Sequence, residues 1–335
     1  MGKELSALIV DDSEDDALLL LRELRRGGYD LTWRRVDTAD AMRSALAEGR
    51  WDIVLSDYNM PGFSAAAALA LLRDSDLDLP FILVSGAIGE ETAVEMMKAG
   101  AHDFVMKGNP ARLVPAIDRE LREAAVRRER RQVQEQLQRS FIDLAETVSR
   151  AMDSRDPYTA GHQRRVAQLA RSVGRQLGMD ETRLTGLYIG GLLHDIGKIS
   201  TPESILNKPG KLLDEEWSLL RAHTKRGYEI LRDSSLPWPV ADMALHHHER
   251  LDGSGYPDGI SGDRLSLEVR ILGVCDVAEA MVYHRPYRPA RSKEELLEEI
   301  KGGRGTKYDS SVVEIMLRMI EERELDPGFD EGPVV

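Results

Sequence analysis

The hydrophobic pattern of this chain changes period once, near residue 120, and the change calls for two different folds. Before it, short apolar runs alternate with amphipathic stretches. Ser6–Val10, Leu31–Val36, Ile53–Leu55, Phe81–Val84 and Asp103–Met106 read as strands. Asp15–Arg26, Ala39–Glu48, Ala65–Arg73, Glu91–Ala99 and a stretch from Ala111 onward read as helices, with Gly27-Gly28 and Gly49 as stops. Five strands alternating with helices predict a doubly wound α/β fold, a parallel sheet covered on both faces. Over residues 153–325 the period-2 alternation is gone. Apolar positions recur at helical steps in Val166–Leu177, Leu184–Leu193, Trp217–Leu231, Val240–His246, Leu267–Met281, Glu294–Ile300 and Val312–Ile320. This part should be all-α, with loops at Thr201–Leu213 and Leu251–Gly262. A length of 335 residues suits two domains.

Residues 111–152 read as one long helix or two joined end to end. Leu137, Phe141, Leu144 and Val148 follow coiled-coil steps of four and three. That stripe fits either a parallel dimer seam or a solvated inter-domain helix packed on the second domain. The expected division is 1–120, a helical linker 121–150, a helical domain 151–325 and a frayed tail 326–335, rich in Pro, Gly and acid. No apolar run is long enough to span a bilayer, and the N-terminus moves straight into a strand, so a cytoplasmic protein is expected. The single cysteine, Cys275, excludes an internal disulfide and a Cys-rich zinc site. A formal net charge of −13, with no basic recognition helix in the output region, argues against DNA as a partner.

In a parallel sheet, ligands bind beyond the carboxyl ends of the strands. Asp11 and Asp12 follow the first strand, Asp57 the third, Ser85 the fourth and Lys107 the fifth. Clustered carboxylates suit Mg²⁺, and a carboxylate beside Mg²⁺ can attack a phosphoryl donor. Residues 5–120 resemble the receiver domain of bacterial response regulators, which is flavodoxin-like. The resemblance rests on the acid pair, SDYNMPG around Asp57, LVSGA around Ser85 and FVMK around Lys107. It implies that Asp57 accepts a phosphoryl group from a sensor histidine kinase. Asp11, Asp12, Asp57 and the carbonyl of Asn59 would hold Mg²⁺, and Ser85, Phe104 and Lys107 would form the switch. Gly108 departs from the pattern, which has proline after the lysine.

In the second part, His194–Lys198 (HDIGK) and His246–Gly259 (HHHERLDGSGYPDG) concentrate imidazole and carboxylate. Five of the eight histidines lie in or between them. Such side chains are ligands for a divalent metal, which points to a metal-dependent hydrolase. His194 and Asp195 are adjacent on a predicted helix, and Lys198 falls on the face of His194. His223, His247, His248 and Asp276 complete a candidate set. Six ligands exceed one tetrahedral zinc and fit two ions sharing Asp195. Without thiolate, iron or manganese is favoured. His246 is left out as pointing away, and Cys275 reads as core.

The order and spacing resemble the HD-GYP family of HD phosphohydrolases over about residues 141–325, through HDIGK, HHERLDGSGYP and RPYR at Arg285–Arg288. The resemblance implies hydrolysis of cyclic di-GMP to pGpG, or onward to GMP, at a binuclear iron or manganese centre. On this chain the six residues above are the ligands, with Asp195 and Lys198 catalytic. Lys198, Arg285, Arg288 and the Gly255-Tyr256-Pro257 loop bind substrate. That loop would also contact a partner protein such as a diguanylate cyclase. His162, in GHQRRVA, matches an upstream motif whose members hold a third metal with a glutamate four residues earlier; here that place is Tyr158. Two metals are therefore expected, with His162 supporting them or serving as an optional ligand. The whole reads as a two-component response regulator, expected as a homodimer, in which phosphorylation of Asp57 alters the linking helix. The alternatives are a catalytically silent cyclic-dinucleotide-binding or adaptor module, and a phosphohydrolase of another nucleotide.

Overall fold

Alternation along each strand builds both faces of the first unit's core at once. The computed structural model describes residues 2–86, 90–155, 161–208, 210–282 and 291–322. Its elements are β1 (Lys3–Val10), α1 (Glu14–Arg26), β2 (Tyr29–Val36), α2 (Ala39–Glu48), β3 (Ile53–Asp57), α3 (Ala65–Asp74), β4 (Phe81–Ser85), α4 (Glu90–Ala99), β5 (Asp103–Met106) and α5 (Leu113–Asp153). The strands form one parallel sheet in the order β2-β1-β3-β4-β5. Leu8, Val10, Val54 and Leu83 pack on one face against Met42 and Ala45 of α2 and Ala68, Leu69 and Leu72 of α3. Ala7, Ile9, Leu55 and Ile82 pack on the other against Leu20, Leu21 and Leu24 of α1 and Leu113 and Ile117 of α5. Ser13, Thr38 and Ser64 cap the first three helices, each side chain accepting from a backbone N–H three residues on. This order puts the topological switch between β1 and β3, beside the ends bearing Asp11 and Asp57.

The chain divides into two units, Met1–Leu137 and Gln138–Val335, and the division falls inside the unbroken α5. Part of its apolar stripe packs on the second unit. Phe141 and Val148 pack with Ala145 on the second unit's core, and Phe141 meets Trp238 edge-on. Leu137 and Leu144 are exposed, as are Val126 and Val133.

The second unit is helical: α6 (His162–Gln176), α7 (Glu181–Leu193), α8 (Glu203–Leu206), α9 (Asp214–Arg221), α10 (His223–Leu231), α11 (Val240–His246), α12 (Leu267–Val282), α13 (Lys293–Gly302) and α14 (Ser310–Glu321). Among the described residues no helix is long and apolar enough to cross a membrane. Two local expectations change. The helix over His194–Lys198 does not continue: α7 ends at Leu193, and Ile196–Ser200 is a 3₁₀ turn. The helix expected over Trp217–Leu231 breaks at Ala222 into α9 and α10. Both interruptions serve a histidine, as shown below. Helix α12 is buried on nearly every side, from Val269 to Val282, and α6 crosses α7 closely. At that crossing a Cβ on Gly191 would stand 2.6 Å from the Ala167 Cα, so only glycine lets the helices meet.

Gly191→Val overpacks that crossing, at a cost of about 1–3 kcal/mol. The expected result, read by calorimetry of the full chain, is a fall in unfolding midpoint on the order of 5 °C. An unchanged midpoint would contradict the packing described.

Candidate functional site

A helix leaves its last carbonyls without intrahelical donors. Three histidines at helix junctions use that fact. His194, just past α7, donates Nδ1–H to Gly191 O at 2.7 Å. His223, at the α9–α10 break, donates to Leu220 O at 2.6 Å. His247, just past α11, donates to Ala244 O at 3.0 Å. A carbonyl can only accept, so Nδ1 carries the proton in each ring and Nε2 keeps its lone pair. Each helix interruption thus sets a histidine ring against a carbonyl three residues back.

The freed Nε2 atoms converge on Asp195. His223 Nε2 lies 3.2 Å and His247 Nε2 3.9 Å from Asp195 Oδ1. His194 Nε2 lies 3.4 Å and His162 Nε2 3.8 Å from Asp195 Oδ2. Asp276, from the buried α12, faces imidazoles: His162 at 3.3 Å, His194 at 4.0 Å and His248 at 3.6 Å. The donors fall into two triads, His223-His247-His248 and His162-His194-Asp276, with Asp195 beside His194 and His247 between them. All six expected ligands thus meet, and His162 stands among them rather than apart. His246 turns away to Asp242 and Asp258.

Burial holds His194 below the usual histidine range, and His247 and His248 well below it, so these rings are neutral at pH 7. Burial pushes Asp195 the other way, but the Lys198 ammonium foremost outweighs it and the carboxylate is held well below its usual range. Asp276 behaves likewise: burial raises it, and the hydrogen bond with His162 leads the contacts that more than reverse this. His194 Nε2 is buried with no hydrogen-bond partner. Neutral imidazoles with inward lone pairs around ionised, buried carboxylates form a donor set that fits divalent cations. Cys275 adds no thiolate: burial in the core pushes its thiol well up.

Lys198 does not ride on the face of His194; the 3₁₀ turn brings its Nζ 2.5 Å from Asp195 Oδ2. Gly197 makes this possible, because a Cβ there would strike the His223 carbonyl and stand 2.5 Å from Gly227 N. The centre is the floor of a cavity of about 840 Å³, whose walls include Lys198, Arg221, Arg250 and Tyr256. Gly255 lies on the His248–Glu249 backbone, where a Cβ would collide with Glu249 Cα and stand 2.5 Å from His248 O. The Tyr256 ring sits 4.7 Å from that of His248, and the Tyr256–Pro257 peptide is cis.

Sequence reasoning missed several supporting groups. Glu279 meets His162 Nδ1 and pairs with Arg165, fixing that ring much as the carbonyls fix the others. Its signal was a carboxylate three residues after Asp276 in an otherwise apolar stretch, Ile271–Val282. Glu249 Oε1 accepts from the backbone N–H groups of Asp258 (2.7 Å) and Gly259 (3.0 Å), tying the loop to the histidine run. Arg285, Arg288 and Tyr158 lie outside the described residues.

In the first unit, oxygens of Asp11, Asp12 and Asp57 come within 4.8 Å of one another. Lys107 Nζ is 3.3 Å from Asp57 Oδ2 and 2.5 Å from Asp16 Oδ2, and Asp16 belongs to no motif that would single it out. Burial lifts Asp11 above the usual carboxylate range, which a cation at these oxygens would reverse. Ser85 is buried at the end of β4, and Phe104 is half-buried beside the α2–α3 core. Asn59 is exposed just after Asp57.

Glu279→Gln should lower Mn²⁺ affinity about 10–100-fold by isothermal titration, because an orienting carboxylate is lost. Gly197→Ala should weaken Mn²⁺ binding while leaving the helical circular dichroism intact; unaltered binding would refute the described fit of the turn. Chelator-treated protein should lose stability as pH falls below about 6.5, the unfolded histidine value. There the unfolded chain takes up protons that the buried rings refuse, so the unfolded state is favoured. Urea midpoints across pH 5–8 check this, and His247→Asn should flatten the fall.

A family model for the response regulator receiver domain matches residues 7–118, and one for the HD domain matches residues 146–312. The chain is 32% identical over 338 residues to the cyclic di-GMP phosphodiesterase response regulator RpfG of Xanthomonas campestris pv. campestris, covering 94% of this chain and 87% of that protein. It is 28% identical over 339 residues to a cyclic di-GMP phosphodiesterase of Thermotoga maritima, covering 95% and 91%. Over 147 residues it is 42% identical to 3′3′-cGAMP-specific phosphodiesterase 3 of Vibrio cholerae, covering 44% of this chain and 32% of that protein. The chain belongs to the response regulators that join an N-terminal receiver domain to an HD-GYP output domain of the HD phosphohydrolase superfamily.

Proposed function

We propose that this chain hydrolyses cyclic di-GMP to pGpG, and onward to GMP, under the control of phosphorylation at Asp57. The observation that carries the reading is the pair of donor triads meeting at Asp195 on the floor of a dinucleotide-sized cavity. His223, His247 and His248 would hold one divalent ion; His162, His194 and Asp276 the other; Asp195 would serve both. Nitrogen and oxygen donors without thiolate favour iron or manganese. Such ions lower the pKa of water and offset the charge of a phosphodiester. The chain's own residues do the rest. The three Nδ1–H···O=C bonds keep the ligand nitrogens aimed inward. Lys198, held at Asp195, offers its ammonium to a non-bridging phosphate oxygen, and the scissile bond is that to the ribose 3′-oxygen. Gly255, Tyr256 and Pro257 close one wall over the substrate, and Arg285 and Arg288 bind its phosphates.

In the receiver, Asp57 takes a phosphoryl group from a sensor histidine kinase. Asp11, Asp12, Asp57 and the Asn59 carbonyl hold Mg²⁺, and Ser85 and Lys107 meet the phosphoryl oxygens. The signal leaves through α5, whose exposed Val126, Val133, Leu137 and Leu144 support pairing with a second copy in the cytoplasm. The substrate is a reading from relatives, some of which are named for 3′3′-cGAMP, so the test carries both nucleotides.

The experiment is anaerobic purification with elemental analysis, then HPLC of cyclic di-GMP and 3′3′-cGAMP incubated with the metal-loaded chain. The expected result is iron or manganese in the protein and faster loss of cyclic di-GMP, abolished in Asp195→Ala. Faster loss of 3′3′-cGAMP would reassign the substrate. Tight binding without cleavage of either would favour the adaptor reading. Turnover in Asp57→Asn should no longer respond to a small-molecule phosphodonor; a retained response would remove Asp57 from the control.

A further inference from the structure

Helix α9 is eight residues long and buries none of them, yet it carries a tryptophan. Trp217 is 41% exposed and belongs to none of the packed apolar clusters. An indole left half in water costs hydrophobic free energy unless something covers it. Arg221, four residues on, shares its helix face, and both side chains line the cavity above the metal ligands. Arg221 makes no ion pair with a carboxylate among the described residues. Its guanidinium lies over the Tyr256 ring at 5.2 Å, and that ring leans on His248 at 4.7 Å and 32°. Planar groups thus run from a ligand histidine outward to Arg221, with the indole on the same wall. The start of the helix is pinned: Glu216 accepts from Leu213 N–H at 2.7 Å and from Lys208 Nζ. The edge that carries Trp217 and Arg221 is therefore held in place before any ligand arrives.

We infer that the Trp217–Arg221 edge of α9 is a base subsite, with the indole stacking on a guanine and Arg221 reading its O6 and N7 edge. The inference rests on the reading of this cavity as a cyclic dinucleotide site, and it assigns what selects the base. A flat aromatic face beside a phosphate-binding centre suits a nucleobase, whatever its identity. The guanidinium adds the choice. Its paired N–H donors match the two acceptors of guanine, whereas adenine presents an amino donor at the same edge. Arg221 is a specificity residue in this account, and Trp217 supplies affinity; neither touches the reacting atoms.

The test uses the full metal-loaded chain with cyclic di-GMP and cyclic di-AMP. Trp217→Ala should raise KM for cyclic di-GMP about tenfold with kcat nearly unchanged, the size expected for one lost base stack. Trp217→Phe, which keeps an aromatic face, should recover most of the loss. Arg221→Lys keeps the charge without the fork and should shrink the kcat/KM preference for cyclic di-GMP over cyclic di-AMP. Equilibrium dialysis of labelled cyclic di-GMP against the chelator-treated chain reads binding apart from turnover. Wild-type binding that Trp217→Ala weakens, with no cleavage by any preparation, would support the subsite while overturning the phosphodiesterase reading. Cleavage with KM unchanged in Trp217→Ala would overturn the subsite and leave the phosphodiesterase reading standing. An Arg221→Lys variant with unaltered base preference would overturn the assignment of guanine selection to Arg221.

Discussion

The second unit depends on a hydrogen bond made three times over, from a histidine Nδ1 to a carbonyl three residues back in its own chain. Each bond settles two problems at once. It satisfies a carbonyl that the helix end would leave without a donor, and it fixes which nitrogen carries the ring proton. These three histidines sit where helices stop. Helix α7 gives way to a 3₁₀ turn at His194-Asp195, and α9 and α10 are two elements rather than one.

Asp276 and Glu279 are delivered in the opposite way. Asp276 and Glu279 stand three residues apart in α12, a helix whose other buried positions are almost all apolar. Buried ionised groups are costly unless they are paired and hydrogen-bonded. Glu279 is paired, with Arg165 and with the His162 ring. Asp276 meets imidazoles, which are weak counterions when neutral. Lys198 answers one oxygen of Asp195, and the ring of His223 approaches the other. The imbalance left at Asp276 is electrostatic, and cations between the triads are the chemistry that removes it.

Much of this was legible because the signals were local. HDIGK and the histidine run bring their imidazoles and carboxylate together within a few residues, and the receiver's acids sit at strand ends that alternation makes plain. What stayed hidden was set by distance or by backbone. His162 looked secondary because the residues that make it central, Asp276 and Glu279, come from a helix far along the chain. Glu279 itself reads as one acid in an apolar stripe, with nothing local to say that it orients a ring. The helix over Trp217–Leu231 keeps a good apolar period across Ala222, so periodicity has no means of showing the break. At that break the His223 ring meets Leu220 O, a contact between neighbours that the apolar period does not register.

The same geometry ties the end of α5 to the candidate site. Ile196, between Asp195 and Gly197, packs in the cluster that also takes Phe141, Ala145 and Val148 from α5. Arg155, just beyond the end of that helix, donates to Ile199 O. The turn that sets Lys198 against Asp195 is therefore braced from one side by α10, where Gly197 admits no Cβ, and from the other by α5. Close packing of this kind does not deform gradually; it moves between discrete arrangements or not at all. Packing thus joins this end of α5 to the turn that carries Asp195, the carboxylate beside both triads.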